Sequence, residues 1–361
     1  MKFALLNKQA YIYKIKSSNP LDWGLIPEAT QEILSYMPLK SGDGVLTVKN
    51  SKLFLVLCVK DQAQGLYFTT TSREIDIQGP FPPTPIVHNG KIVEATFEAI
   101  LQHFQGNFIL EKEIKYLKEC TEKFLTSPEV WDKPNLESIA TQVFHTATAD
   151  LPHTECRTEI VTETGETLRL KLGFSQSGFT FDFTGTSSSQ NYSLTDKSTM
   201  GTIEKCLSRY LGIEEFACSK LFSKIQITKP MQCFLNGKHS DFASTQLLEL
   251  IVFQAFDLLT PQKKSNFGNP LSARILLQWP EEKQKLTMVF NSRTPLDFSV
   301  QELEAKYPIQ FTRIENKESL IVEATLLKPA QTQVFQARVK GSPLTPKVEF
   351  AKNQFVIEVR H

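Results

Sequence analysis

Residues 158–183 read TEIVTETGETLRLKLGFSQSGFTFDF. Apolar and polar residues alternate through Leu168, Leu170, Leu172 and Phe174, and again through Phe179, Phe181 and Phe183. This is the period of two expected of strands with one buried face. Glu163 to Gly165 and Gln176 to Gly178 interrupt the pattern, each with a glycine that lets the chain reverse. Three strands (158–164, 167–174 and 178–183) therefore form an antiparallel meander. In the stretch before Glu155, residues 92–146, the period is helical instead, so the sequence predicts an α+β fold of mixed helices and largely antiparallel sheets.

Working outward, residues 92–103, 110–126 and 135–146 carry apolar residues at spacings of three and four, as amphipathic helices do. The first 80 residues read as strands with one helix, Pro27 to Tyr36 (PEATQEILSY), opened by a proline at its first position. Ser41 to Gly44 is a turn before a strand at 45–48, and Ser51 to Lys60 (SKLFLVLCVK) is a nearly continuous apolar run suited to a buried strand. Gly79 to Pro85 (GPFPPTP) holds four prolines in seven residues and reads as a rigid loop. Helices are expected at 199–211 and 244–259 with a strand at 224–228 between them. After Pro270 the chain is strand-dominated. The change of period predicts two regions, 1–150 of α/β character and 151–361 rich in strands.

The chain has 361 residues, 41% of them hydrophobic and 26 of them Phe, enough for a sizeable core. A net charge of +1 gives no field to draw nucleic acid or an anionic membrane surface. Lys112, Lys115, Lys118 and Lys123 alternate with Glu111, Glu113, Glu119 and Glu122, the i, i+4 pairing of a solvated helix face. No stretch approaches the roughly 20 apolar residues of a membrane span, and the opening residues lack the apolar core of a signal peptide. Six scattered cysteines without a CxxC pair read as reduced thiols, which predicts a cytoplasmic protein.

Three ordered segments resemble the hydantoinase B/oxoprolinase family. Phe181 to Ser187 (FDFTGTS) and the helix after it are similar to that family's DFTGTS strand and helix. Ile225, Phe234-Leu235-Asn236 and the helix at 244–259 resemble its strand, loop and helix. Asn291 to Pro295 (NSRTP), Glu304 and Tyr307-Pro308-Ile309 resemble its Asn-Thr-Arg-Asn-Thr-Pro, Glu and Tyr-Pro-Leu. A fourth segment, Ser72 to Gly79 (SREIDIQG), is similar to the family's His-His-Ala-Asp-Ile-Gly-Gly, keeping Asp76 and Gly79. The resemblance spans roughly residues 30–315 and implies a hydantoinase B-like fold. It also implies ATP-dependent opening of a cyclic amide, with a divalent metal here and ATP on a hydantoinase A-like partner subunit.

The residues depart from that chemistry. A hydrolytic metal site needs about three His, Asp, Glu or Cys ligands around an open position. Arg73 and Glu74 stand where the resemblance implies two imidazoles, and residues 41–60 hold no His and one acid, Asp43. A guanidinium beside a cation repels it. Asp76 is the relic metal-ligand candidate. Asp182 is the second catalytic candidate, its other role being to bond the backbone of the 184–187 turn. None of His88, His103, His145, His153, His239 and His361 pairs with another at zinc spacing. No phosphate-binding glycine loop occurs either. The expectation is a degenerate, non-catalytic subunit with no bound metal or cofactor, joined to a hydantoinase A-like partner or to itself. An active subunit with an altered site predicts instead that Glu74, Asp76 and Asp182 converge. An independent ligand-binding module predicts a dry, Phe-rimmed pocket.

Overall fold

The structure is a computed structural model, and it describes the chain except for residues 1, 8–9, 11, 18, 61–64, 75–80, 105–107, 127–132, 214–223, 262–268, 283, 292–298 and 361. The chain divides into two compact units, Met1–Leu151 with Met200–Ile225, and Pro152–Thr199 with Gln226–His361. The expected split at 1–150 and 151–361 does not contain this return of residues 200–225 to the first unit. That return is a long-range association, which periodicity does not record.

The first unit is built on seven strands: β1 (Phe3–Asn7), β2 (Ile12–Lys16), β3 (Gly44–Lys49), β4 (Lys52–Lys60), β5 (Leu66–Glu74), β6 (Thr84–His88) and β7 (Lys91–Ile92). Their order across the sheet is β2-β1-β5-β4-β3-β6-β7, and the pairs are antiparallel. Helices cover both faces. Helix α1 (Pro20–Tyr36) packs on one side of β3, β4 and β5. Helix α2 (Glu94–His103) packs on β6, and α3 (Phe108–Thr126) packs on β4 and β5; α4 (Lys133–Thr148) follows. Leu53, Leu55 and Leu57 point into the cluster that holds Ile114 and Leu117 of α3. Val56 and Cys58, one residue out of phase, point into the cluster that holds Ile33 of α1. Double coverage explains why residues 51–60 are nearly all apolar.

Two expectations need correction here. Helix α1 begins at Pro20, so Pro27 lies inside it and not at its first position. Pro27 has no N–H to give the carbonyl of Trp23, one turn earlier. At that point helix α5 (Asp196–Leu211) comes closest: a Cβ on Gly201 would stand 2.5 Å from the Trp23 carbonyl carbon and 2.6 Å from the Gly24 nitrogen. Thr84 and Pro85 belong to β6 and not to a loop, because Pro85 pairs with Val45 at a register shift where a missing N–H is tolerated. Gly79 and Pro80 of the expected loop lie outside the described residues.

The second unit begins with the meander read from the sequence, β8 (Glu155–Val161), β9 (Thr167–Ser175) and β10 (Gly178–Asp182), extended by β11 (Ile225–Thr228) in the order β11-β10-β9-β8. Helix α6 (Phe242–Leu259) packs on β8 and β9, and Phe256 meets Phe179 and Phe181 edge-on, each with centroids 6.3 Å apart. By length and composition α6 is apolar enough to cross a membrane, contrary to the sequence expectation, but 72% of that stretch is buried. It is the core helix of its unit.

Strands β12 (Ala273–Trp279) and β13 (Gln284–Phe290) lead into α7 (Val300–Lys306), β14 (Ile309–Asn316), β15 (Ser319–Leu326), β16 (Gln331–Gln336), β17 (Lys347–Ala351) and β18 (Gln354–Arg360). They form sheets ordered β13-β12-β16 and β14-β15-β18-β17. Arg313 bridges Glu315 and Glu323, and Arg360 bridges Glu358, so the second of these sheets carries a charge-laced surface. Gly201 gives the sharpest test of packing in the first unit. Gly201→Ala is expected to destabilise the protein by about 2 kcal/mol or more, because the added methyl meets backbone that cannot rotate away. A urea titration of the full chain checks this, and an unchanged midpoint contradicts it.

Candidate functional site

The side of β3–β5 that faces α1 carries a set of buried polar groups. Asn50 (φ 47°) and Ser51 (φ 58°) form a two-residue turn with both φ values positive, the geometry that suits a tight hairpin. This turn pairs Lys49 with Lys52 and so aims two ammonium groups at one helix. Lys49 meets Glu32 of α1 at 2.8 Å and Glu28 at 3.7 Å, on a partly exposed flank. Lys52 lies deeper. Its Nζ stands 2.5 Å from Asp22 Oδ1, with side-chain exposures of 3% and 0%. Ser17 donates its hydroxyl to Asp22 Oδ2 at 2.5 Å. Thr30 and Thr69 share a 2.8 Å hydrogen bond between α1 and β5, and Ser72 accepts from the backbone N–H of Leu53.

Lys52 sits opposite Glu74, the last residue of β5, where residues 75–80 begin. Asp76 and the side chains of Arg73 and Glu74 lie outside the described residues. Asp43, the one acid in residues 41–60, accepts from the backbone N–H of Lys40 and lies 3.0 Å from His88 Nδ1. It ties the turn before β3 to the β6–β7 hairpin.

The first two resemblance segments meet in the second unit. Asp182 Oδ1 accepts from the Thr184 backbone N–H at 2.9 Å and from the Thr184 hydroxyl at 2.6 Å, and these bonds hold its carboxyl below the usual range. The chain then runs beside the short turn Phe234–Asn236: Leu194 donates to the Phe234 carbonyl and Gly237 to the Leu194 carbonyl, each at 2.7 Å. Leu235 O accepts from Thr199 Oγ1 and Lys229 Nζ, while Lys229 also meets Asp196 at 2.5 Å.

Two helices start within this network. Thr195 accepts from the Ser198 N–H at the head of α5. Asp241 caps α6, with Oδ1 accepting from Ser244 N–H and Oδ2 from Ser193 N–H, both at 2.7 Å. Ser240 joins the two heads, accepting from the Thr195 N–H and donating to Ser198 Oγ.

Glu166 forms a third node. Burial pushes its carboxyl up, but hydroxyls of Thr162, Thr164 and Ser189 and its own N–H outweigh that and bring it to about 2. Asn191 Nδ2 adds a further bond at 3.0 Å. These donors use most of the lone-pair sites of one carboxylate. Of the third segment, Glu304 accepts from the Phe311 N–H at 2.7 Å and Tyr307 stacks on Trp279, while residues 292–298 lie outside the description.

Asp182, Glu166 and Asp241 thus each hold backbone or hydroxyl donors of their own turn or helix head. Among the described residues no three His, Cys, Asp or Glu side chains gather as a metal could use them. The sequence reading passed over Asp22, Lys52, Glu166 and Asp241. Period two on β4 could have found Lys52, since it falls on the same side as Phe54 and Val56.

The comparisons with known proteins follow this architecture. The structure matches an ATP-dependent caprolactamase from Pseudomonas jessenii at a TM-score of 0.65, over 99% of this chain and 83% of that one, with 11% identity. It matches acetone carboxylase, in a nucleotide-free structure, at 0.68 over 99% and 70%, with 8% identity. The chain has the hydantoinase-type fold. No family model and no curated protein sequence matches it. The hydantoinase-type α+β fold anticipated from FDFTGTS and its companion segments is therefore borne out at the level of structure, while the identities are too low to carry chemistry.

Within this hydantoinase-type fold the second unit's carboxylates make two predictions. Asp241→Ala is expected to cost about 2 kcal/mol, as a helix cap and an acceptor for Ser193 are lost together, and Asp241→Asn less. Chemical denaturation of the three proteins checks the order. Glu166 is depressed in the folded state, so its contribution is full above pH about 4.5 and disappears as pH falls through about 2. The stability gap between the protein and Glu166→Gln should therefore be widest at neutral pH and close on acidification. A gap independent of pH would contradict this.

Proposed function

We propose that this protein is a hydantoinase B/oxoprolinase-like subunit that has lost catalysis and acts by assembling with a hydantoinase A-like partner in the cytoplasm. The observation that carries this reading is the chemistry at the end of β5. Arg73 and Glu74 stand where the family resemblance implies two imidazoles. A guanidinium and a carboxylate in place of two imidazoles do not make the donor set of the metal that the resemblance implies, and no reaction step is routed through one.

The fold adds support, because a caprolactamase and an acetone carboxylase, both described as ATP-dependent, share it. The described carboxylates of the FDFTGTS and FLN segments add more, since their lone pairs serve local structure. Partnering follows from the same logic: a chain that keeps such a fold without its chemistry is retained for what it binds. Five cysteines, Cys58, Cys120, Cys156, Cys206 and Cys233, are free thiols, as suits a reducing compartment.

Elemental analysis of the purified full chain is expected to find no stoichiometric transition metal, and incubation with ATP and a lactam, hydantoin or 5-oxoproline to give no ring opening. Affinity capture from the native source is expected to return an ATP-binding subunit. A stoichiometric metal with turnover would establish the active, altered-site reading in its place. A chain that returns only copies of itself would assign the assembly to self-association.

A further inference from the structure

Asp22 and Lys52 are both withdrawn from water, at 0% and 3% side-chain exposure, and they come from elements 30 positions apart in the chain. Asp22 lies in the first turn of α1, where the helix dipole favours its negative charge. Ser17 occupies its second oxygen, and the indole N–H of Trp23 donates to the Ser17 carbonyl, so the loop before α1 is wrapped around the carboxylate. Such a carboxylate needs a cation. In many proteins a carboxylate with hydroxyl and carbonyl oxygens beside it recruits that cation from solution. Here the chain supplies it from the first residue of β4.

We infer that Asp22, Ser17 and Lys52 form an internal cation site whose cation is covalently built in, and that removing the Lys52 ammonium converts it into a site for an external primary ammonium ion. The strand period makes the placement obligatory. Lys52 shares a face with Phe54 and Val56, both at 0% exposure, so its four-carbon stem and its charge have no route to water. The ammonium also fixes the start of β4 to the start of α1, next to Trp23, where α5 makes its close approach through Gly201. The site therefore pins β4 to α1 beside the stretch of α1 that α5 approaches. This inference stands apart from the partner reading, since it concerns no metal and no reaction.

The test uses the full-length protein. Lys52→Ala leaves Asp22 without its counterion and is expected to lower the thermal midpoint by roughly 10 °C. Lys52→Met, which keeps the apolar stem, should fall at least as far, because the orphaned charge and not the lost packing dominates. The double variant Asp22→Asn/Lys52→Met should lie above Lys52→Met alone. Titration of Lys52→Ala with n-propylammonium chloride restores the missing three carbons and ammonium. It should raise the midpoint well beyond an equal concentration of tetramethylammonium chloride, which donates no hydrogen bond, while the unsubstituted protein responds alike to both salts. Should Lys52→Ala fail to fold, recovery of fold in n-propylammonium decides the matter. The inference is overturned by a Lys52→Ala midpoint equal to that of the parent, by a double variant at or below Lys52→Met, or by equal effects of the two salts.

Discussion

A strand covered on both faces has no side for a charge to escape to, and that constraint organises the first unit. Residues of β4 alternate between the α3 side and the α1 side, so a nearly unbroken apolar run is required. Its one interior cation, Lys52, has to be met from within, and the first turn of α1 supplies Asp22. The hairpin at Asn50-Ser51 places Lys49 beside Lys52, and α1 answers it with Glu28 and Glu32. Charge complementarity on a single helix face thus sets the register of α1 over the sheet. Apolar packing against Val45 and Val56 alone would leave that register free to slide. Desolvating two charges gives little net stability, whereas leaving one alone is expensive, so the pair acts chiefly as a specificity device for this corner.

The second unit solves a different problem with the same chemistry. Two helices begin close to a short turn, and each helix head exposes backbone N–H groups that need acceptors. Thr195, Ser240 and Asp241 supply them, and the Leu194 backbone is bonded on both sides to the turn that contains Phe234. Asp182, a candidate in the sequence, and Glu166, which the sequence reading passed over, both serve such local needs. Asp182 closes its own turn and Glu166 gathers hydroxyls around the β8–β9 turn. A carboxylate that already accepts three or four hydrogen bonds is a poor base, since those bonds stabilise its ionised form.

These observations separate fold from chemistry. The fold is that of two large ATP-dependent enzymes at about one residue in ten identical. At that distance a fold can be shared because many sequences satisfy the same pattern of buried faces. Reactive constellations tolerate far less change. Asp182, for its part, is committed to the backbone N–H and hydroxyl of Thr184 in its own turn.

The sequence by itself determined the meander from its alternation and the helices at α3 and α6 from their periodicity. Each is a local property, written within one element or one turn. Only the tertiary structure decided that Lys52 meets Asp22, that Gly201 rests on Trp23, that residues 200–225 belong with the first unit, and that Ser193 depends on Asp241. Those pairings join positions far apart in the chain. They are fixed by which faces must be buried together and which buried polar groups must find partners, and no short stretch of sequence contains that information.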